Sequence, residues 1–251
     1  MLEGVDVSYH QGSIDWRAVA KSGRSFAFVR ATDGLHFTDP LFRANWAGAR
    51  AAGLVRGAYQ FFRPTEDPVA QANLLLSLAP PATGDLPPTL DVETLCAPPA
   101  TQCAGGGAST TAAADGVAAW VERITSTTGM MPILYVSPGF WSTLPPRGVE
   151  RRTIPWIATW YVNLPATPAG WKQWAFWQYT DKGNVPGIKG PVDLDRFEGN
   201  ALELRLLTHG AKRLATEFGV GTLAILAGLG LGAALLLSPP SKERQPDNDD
   251  D

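Results

Sequence analysis

The stretch from Pro87 to Glu93 reads PPTLDVE, and it holds the features that decide the fold class. Two prolines precede a short apolar run, and two carboxylic acids, Asp91 and Glu93, stand two positions apart at its end. Side chains two apart in a β-strand point to the same face. In a barrel of parallel strands, active sites form at the rim where the strands end. We therefore expect Asp91 and Glu93 to project together into the mouth of a barrel.

Short β-like runs alternate with amphipathic helical segments along most of the chain, a pattern typical of parallel strands joined by crossover helices. The candidate strands are residues 4–8, 25–31, 55–62, 88–93, 132–136, 155–160, 174–179 and 192–196. Helices are predicted over residues 39–52, 67–78 and 110–128, each opened by an Asp or Thr that can cap backbone amides. Later connections are short and rich in Pro and Gly. This predicts an α/β fold, an irregular TIM-like (β/α) barrel with incomplete outer helices over residues 1–210.

The composition fits a globular protein and excludes one class of partner. The chain has 251 residues, of which 45% are hydrophobic, and its formal net charge is -3. This charge offers no electrostatic basis for binding nucleic acid. The N-terminus has neither the basic start nor the apolar run of a secretory signal peptide.

The two cysteines, Cys96 and Cys103, lie in a Pro-, Gly- and Ala-rich stretch over residues 96–109. This composition predicts an exposed loop that follows the fourth strand and overhangs the active face. The thiols are close enough to form a disulfide in an oxidising compartment, or they stay free in a reducing one. Because no Cys or His stands nearby at metal-ligand spacing, we predict neither a metal nor a cofactor.

Residues 219–237 read GVGTLAILAGLGLGAALLL and carry no charge. At 1.5 Å per residue they span about 28 Å, close to the thickness of the hydrocarbon core of a bilayer. We predict a single-pass transmembrane helix here, which places the protein at a membrane, and a disordered acidic tail over residues 238–251. Gly228 and Gly232 form a small-xxx-small pair that can pack two such helices into a weak dimer. Basic residues on both flanks leave the orientation open.

Carboxylates also stand inside two other apolar runs. Asp6 lies in the run GVDVS, and Asp193 and Asp195 lie in VDLD. An unpaired buried carboxylate is costly, so acids in barrel strands usually face a pocket or a partner. Cleavage of a glycosidic bond needs one acid to protonate the leaving oxygen and a second group to stabilise the oxocarbenium-like centre. Together with Asp91 and Glu93, these acids predict a glycosidase site.

Five regions, in this order, resemble the signatures of glycoside hydrolase family 25, the N-acetylmuramidase lysozymes. The regions are GVDVSYHQG at 4–12, FAFVRATDG at 26–34, GAYQFFRP at 57–64, LDVE at 90–93, and WQY at 177–179 with VDLDRF at 192–197. The resemblance implies cleavage of the β-1,4 bond between N-acetylmuramic acid and N-acetylglucosamine in peptidoglycan strands, with retention of configuration, by an enzyme acting at the cell wall. The chain departs from the family pattern at Gln60, where a His is expected, and this change is predicted to alter a sugar contact.

Carried over by position, the resemblance makes Glu93 the general acid/base. It places Asp91 beside Glu93 to support the substrate's own acetamido group as nucleophile, although a covalent intermediate on a protein carboxylate stays open. Asp6 and Asp193 complete the catalytic set. Candidate sugar-binding residues lie at strand ends, where core packing is an equally good interpretation for each alone; they are Tyr59, Tyr135, Trp160, Gln178 and Asp195.

Two other functions fit the same features. One is a membrane-anchored, non-catalytic module that binds peptidoglycan. This function is disfavoured because a homologue that has lost its activity usually lacks the catalytic acid, and here Asp6, Asp91, Glu93 and Asp193 are all present. The other is a barrel glycosidase acting on another N-acetylated polysaccharide such as chitin. The specificity for muramic acid rests on the family resemblance. A phage-lysis, wall-remodelling or secreted-toxin role is left open.

Overall fold

The computed structural model describes residues 1–96 and 107–208. Its strands are β1 (Leu2–Val7), β2 (Arg24–Asp33), β3 (Phe37–Thr38), β4 (Val55–Phe61), β5 (Thr89–Val92), β6 (Ile133–Val136), β7 (Ile154–Ala158), β8 (Phe176–Gly183) and β9 (Val192–Phe197). Eight of them form a closed barrel in the order β1, β2, β4, β5, β6, β7, β8, β9, and β9 pairs back onto β1. The short β3 pairs with the end of β2 outside this ring.

The helices of the described residues cover one half of the barrel better than the other. They are α1 (Trp16–Lys21), α2 (Phe42–Ala51), α3 (Pro68–Leu78), α4 (Thr110–Thr128), α5 (Pro138–Trp141) and α6 (Ala201–Leu206). Between β6 and β9 the connections hold only the single-turn α5 and a 3-10 helix over Val149–Arg152. The predicted barrel with incomplete outer helices is confirmed.

Helix capping agrees with the sequence prediction at one helix and differs at two. Asp67 caps α3 as predicted, because its side chain accepts a backbone N–H of the first turn. The cap of α4 is Ser109, whereas Thr110 is already helical. Asp39 does not cap α2; its buried carboxylate accepts the backbone N–H of Leu41, the residue before the helix, through Oδ1 and that of Tyr9 through Oδ2. Asp39 therefore ties the connection after β2 to the segment that follows β1.

The direction of β9 corrects the predicted all-parallel arrangement. β9 runs antiparallel to both β8 and β1, whereas every other neighbouring pair in the ring is parallel. The connection between β8 and β9, residues 184–191, is too short for a parallel crossover, which needs about a dozen residues or more. Because β9 is reversed, its first residues, including Asp193, lie at the rim where the parallel strands end.

Alternate residues of each strand divide between the barrel interior and the layer beneath the helices. On β2, Phe26 and Phe28 belong to an interior aromatic cluster, whereas Ala27 and Val29 pack in the cluster that includes the helices. The ring of Phe28 stacks on that of Trp156 with their centroids 4.1 Å apart. These large rings fill one end of the interior, so the cleft opens at the other end.

Five predictions fall wholly or partly outside the described residues. These are the exposed loop at 96–109, the role of Cys103, the transmembrane helix at 219–237, the weak dimer through Gly228 and Gly232, and the acidic tail at 238–251. No helix in residues 1–96 and 107–208 is long and apolar enough to cross a membrane. Cys96 is buried and disulfide-bonded. It also forms an antiparallel β-bridge with Gly107, so the described residues on either side of positions 97–106 are adjacent.

Candidate active site

The open end of the barrel forms a cleft of about 620 Å³. Residues from β1, β2, β4, β5, β6, β7, β8 and β9 or from the segments that follow them contribute to its wall. Eight of the nine predicted catalytic and sugar-binding residues line it: Asp6, Tyr59, Asp91, Glu93, Tyr135, Trp160, Gln178 and Asp193. Residues far apart in the sequence therefore converge on one surface.

Asp6 and Asp193 form an acidic pair on one side of the cleft. They are register partners across the antiparallel strands β1 and β9. Burial, reinforced by the negative charges of Asp193 and Asp195, raises the pKa of Asp6 well above its ordinary value. Burial also raises the pKa of Asp193 to about 6, although its hydrogen bond with Asp6 acts in the opposite direction. Both carboxyl groups of the pair therefore stay protonated to a higher pH than solvated aspartates do.

Asp195 does not reach the cleft, contrary to its predicted contact with the sugar. Its side chain is fully buried, and its Oδ1 accepts a hydrogen bond from Trp156 Nε1 at 2.8 Å. Its buried Oδ2 has no N–H donor in the described part of the chain, and its contact is with the carboxyl group of Asp6, a hydrogen bond that requires one of the two acids to be protonated. Burial and then the charge of Asp193 raise the pKa of Asp195 well above its ordinary value. Asp195 therefore lies below the acidic pair, opposite Gly4 on β1, where the Trp156 indole covers it.

Asp91 and Glu93 occupy the opposite side of the cleft, at the end of β5. Asp91 is buried, whereas the side chain of Glu93 is accessible from the cleft. Burial and then the charge of Glu93 raise the pKa of Asp91. Desolvation by the cleft walls and then the charge of Asp193 raise the pKa of Glu93. A raised pKa keeps a carboxyl group protonated closer to neutral pH, which a general acid requires.

Gln178 connects two other predicted sugar-binding residues, Tyr135 and Trp160, to the catalytic candidate Asp6. Its Oε1 accepts hydrogen bonds from the Tyr135 hydroxyl and from Trp160 Nε1, each at 2.9 Å. This fixes the carboxamide so that its Nε2 donates to Asp6 Oδ2 at 2.8 Å. The indole N–H of Trp160 is its only donor, so what Trp160 presents to a ligand is its ring face.

Two arginines that the sequence analysis missed also line the cleft. Arg63 forms a bidentate salt bridge with Asp33, with Nε–Oδ1 at 2.5 Å and Nη2–Oδ2 at 2.7 Å. Arg30 stands on the neighbouring strand β2. The positive charges of Arg30 and Arg63 lower the pKa values of Asp91 and Glu93 and so oppose the effect of burial. The available signal was a charged residue inside an apolar strand for Arg30 and directly after an apolar run for Arg63.

Gln60 lies outside the cleft, so the predicted change in a sugar contact at this position is wrong. Along β4, Tyr59 and Phe61 line the cleft, and the side chain between them points to the opposite face. The fully buried Gln60 donates from Nε2 to Thr32 Oγ1 at 2.7 Å and accepts from Trp120 Nε1 at 2.9 Å. Gln60 therefore joins the barrel wall to α4.

Comparison with known proteins agrees with this geometry. The model of the family "Glycosyl hydrolases family 25" matches residues 5–188. Lysozyme M1 of Streptomyces globisporus is 36% identical over 214 residues, which cover 83% of this chain and 71% of that protein. The N,O-diacetylmuramidase of Chalaropsis sp is 31% identical over 206 residues, covering 76% of this chain and 96% of that protein.

The solved structures show the same relationship. The bacterial lysozyme from Streptomyces coelicolor superposes with a TM-score of 0.77 at 35% identity, covering 84% of this chain and 98% of that one. The family match also runs through every strand from β1 to β8, and so through most of the cleft. The chain belongs to glycosyl hydrolases family 25 and is a glycoside hydrolase.

Proposed function

We propose that this protein is a lysozyme that hydrolyses the β-1,4 bond between N-acetylmuramic acid and N-acetylglucosamine in peptidoglycan. The observation that carries the proposal is the position of Glu93, an accessible carboxyl group with a raised pKa across the barrel mouth from Asp193. The substrate class is supported by the similarity to proteins named lysozyme and N,O-diacetylmuramidase. Cleavage of this bond needs a protonated acid on one side and a means of stabilising positive charge on the other.

Glu93 acts as the general acid in the first step. Its proton moves to the glycosidic oxygen as the bond between that oxygen and the anomeric carbon breaks. Glu93 then takes a proton from the water that attacks the anomeric carbon, and so returns to its starting state. The raised pKa of Glu93 supports this role, because the group must be protonated when the substrate binds.

Asp91 positions the acetamido group of the sugar that is attacked. Its buried Oδ1 receives no hydrogen bond from the described residues, although it lies at the cleft wall. An acetamido N–H donating to this oxygen would hold the acetamido carbonyl oxygen beneath the anomeric carbon. Attack by that oxygen gives a cyclic intermediate, and water then opens it from the opposite side. The two displacements together retain the configuration.

The acidic pair stabilises the positive charge that develops at the anomeric centre, and Asp193 supplies the negative charge, because its pKa of about 6 lies below neutral pH whereas the pKa of Asp6 is raised well above its ordinary value. Negative charge placed before the reaction in a partly buried site is effective because it needs no reorganisation during the step. Gln178 keeps Asp6 in place through the hydrogen bond from its Nε2. The two acids thus complement Glu93 from across the cleft.

The membrane attachment of this enzyme is a further part of the proposal. Residues 219–237 are uncharged and long enough to span a bilayer as a helix, and they follow the catalytic barrel directly. We expect the full chain to sediment with membranes and to resist extraction by salt or carbonate, whereas a chain ending at residue 210 is released. Recovery of both forms in the soluble fraction would contradict the attachment.

Product analysis tests the proposed reaction. The protein and its Glu93→Gln variant are incubated with purified peptidoglycan and with chitin, and the released fragments are identified by mass spectrometry. We expect fragments that end in reducing N-acetylmuramic acid, and a loss of about 100- to 10,000-fold in the variant. Glu198→Gln makes the same chemical change at an exposed glutamate outside the cleft and should keep its activity. Release from chitin alone would assign a different polysaccharide.

A further inference from the structure

The segment that follows β7, residues 160–164 and called the rim loop below, exposes an apolar surface. Nine large hydrophobic residues are exposed in the described chain, and four of them belong to this loop: Trp160, Tyr161, Val162 and Leu164. Tyr161 is 65% exposed and Trp160 42%. Scattered exposed apolar residues are normal, but four of them within five positions indicate an interaction site.

The ring of Tyr161 is held in one orientation by its surroundings. Its φ angle is +60°, and no other non-glycine residue in the described chain has a positive φ. Its hydroxyl donates a hydrogen bond to Asp181, and its backbone N–H donates to the carbonyl oxygen of Tyr179 at 3.3 Å. The Lys182 ammonium lies 5.6 Å from the ring centroid. A strained backbone persists only where several contacts enforce it, and such positions are concentrated at binding sites.

The rim loop continues the wall of the cleft. Trp160 lines the cleft, and Tyr161 follows it in sequence as the more exposed of the two rings. The polar atoms of both side chains bond to residues of β8, Trp160 Nε1 to Gln178 and the Tyr161 hydroxyl to Asp181. The ring face of Trp160 and the face of Tyr161 that is turned away from Lys182 are therefore the parts that remain for a ligand.

The strand order places this loop to the side of the catalytic acids. In the ring, β5 and β9 stand opposite each other with three strands between them on either side, so Glu93 and Asp193 face each other across the mouth. β7 lies midway between them on one side. A chain that passes between the two acids therefore leaves the cleft over the rim loop.

We propose that the rim loop is an outer sugar-binding site, in which Trp160 and Tyr161 stack on an N-acetylhexosamine ring of the glycan beyond the two sugars that flank the cleaved bond. The inference rests on the proposed function and extends it to the length of glycan that the enzyme binds. The C–H face of a pyranose ring is apolar and matches an aromatic face. Because this sugar is linked to the one being cleaved, its binding adds to the affinity without a separate association step.

The test compares substrates of different length. The full-length protein and its Tyr161→Ala variant are assayed on peptide-free polymeric glycan strands and on the disaccharide of N-acetylmuramic acid β-1,4-linked to N-acetylglucosamine, which holds only the two sugars that flank the cleaved bond. We expect the ratio of kcat/KM on the polymer to kcat/KM on the disaccharide to fall about 3- to 10-fold in the variant, mainly through KM on the polymer. Tyr161→Phe keeps the ring but loses the hydroxyl contact, so it should show a smaller fall. Leu202→Ala removes an exposed apolar side chain on α6 and should leave the ratio unchanged.

Other outcomes would overturn the inference. An unchanged ratio in Tyr161→Ala would show that no sugar binds at the rim loop. A fall that appears only with strands carrying stem peptides would assign the loop to the peptide. A native dimer that Tyr161→Ala converts to a monomer in sedimentation would make the loop a contact between two copies. Inactivity of the native protein on both substrates would instead contradict the proposed function.

Discussion

Asp6 and Asp193 face each other directly in register, although Asp6 lies near the end of β1 and Asp193 near the start of β9. This relationship exists because β9 runs antiparallel to β1. Two carboxyl groups so close do not titrate independently, and the protonation of one depends on the other. The reversed strand therefore determines both where the acidic pair stands and how it responds to pH.

Asp193→Asn is expected to stabilise the fold at neutral pH. Burial raises the pKa of Asp193 from 3.8 to about 6, so between these values the folded state binds more protons than the unfolded state. The native protein therefore loses stability as the pH rises through this window, and the variant does not share that loss. The quantity to compare is the melting temperature of the variant minus that of the native protein. We expect this difference to be at least about 2 °C larger at pH 7 than at pH 4.

The same substitution at an exposed acid provides the control for this measurement. Asp115→Asn on α4 changes the same functional group outside the cleft. If the relative melting temperature of Asp193→Asn is the same at pH 4 and pH 7, or changes no more than that of the control, the raised pKa is not present in the folded protein.

Arg63→Gln is expected to move the alkaline limb of the kcat profile to higher pH. The positive charge of Arg63 lowers the pKa of Glu93, and its removal also frees the charge of Asp33, which raises that pKa. Because Glu93 must be protonated to act as the acid, activity then persists to higher pH. A limb at the same pH or a lower one would contradict this electrostatic role.

A second buried arginine provides the matched control. Arg56 forms a bidentate pair with Asp85, with Nε–Oδ1 at 2.7 Å and Nη2–Oδ2 at 3.2 Å, and neither residue lines the cleft. Loss of one partner of a buried pair costs about 3–5 kcal/mol, so both variants should unfold more easily. Only Arg63→Gln should shift the pH profile, which separates the effect on Glu93 from a general loss of stability.

The effect of a substitution at Asp195 on activity should depend on whether the new side chain has polar atoms. Asp195→Asn retains an acceptor for Trp156 Nε1 and adds an N–H that can donate to Asp6, so we expect activity within about 3-fold of native. Asp195→Leu has a similar volume but no polar atom, so it leaves the Trp156 N–H without an acceptor and removes the hydrogen bond with Asp6, which keeps its bond from Gln178. A loss of about 10- to 100-fold, with a shifted acid limb of the pH profile, is expected there. Equal activity of the two variants would show that Asp195 only fills space.

Gly4→Ala is expected to destabilise the barrel. A Cβ at this position would lie 2.4 Å from the ring of Phe26, which is packed in the aromatic interior and has no free space to move into. Overpacking of this kind costs about 1–3 kcal/mol in the free energy of unfolding, measurable by urea denaturation. Gly139→Ala on α5 meets no atom within 4 Å and should be neutral or slightly stabilising. Equal stability of the two variants would contradict the packing of the interior.

Much of the barrel could be predicted because each of its strands carries its own local signal. The apolar runs at β1, β5, β6 and β9 are bounded by polar or turn residues, and the predicted ranges agree with the strands to within a few residues. The clustering of Asp6, Asp91 and Glu93 could be predicted as well. Each is an acid near the C-terminal end of an apolar strand, and parallel strands of a barrel end at one rim.

The remaining features depend on partners that are distant in the sequence. Asp193 and Asp195 share the same alternation along β9, yet only Asp193 reaches the cleft, because Trp156 covers Asp195. Gln60 follows the cleft residue Tyr59, but its partners Thr32 and Trp120 come from β2 and α4. No local pattern in β4 or β9 specifies these contacts.

The sequence by itself determined the barrel class, the strand that carries Asp91 and Glu93, and the family, because periodicity and strand-end acids are local properties of the chain. Only the tertiary structure decided the direction of β9, the pairing of Asp6 with Asp193 and the position of the rim loop beside them. These relationships arise when the ring of strands closes and juxtaposes residues almost 190 positions apart. Closure is a property of the whole sheet, which no single segment encodes.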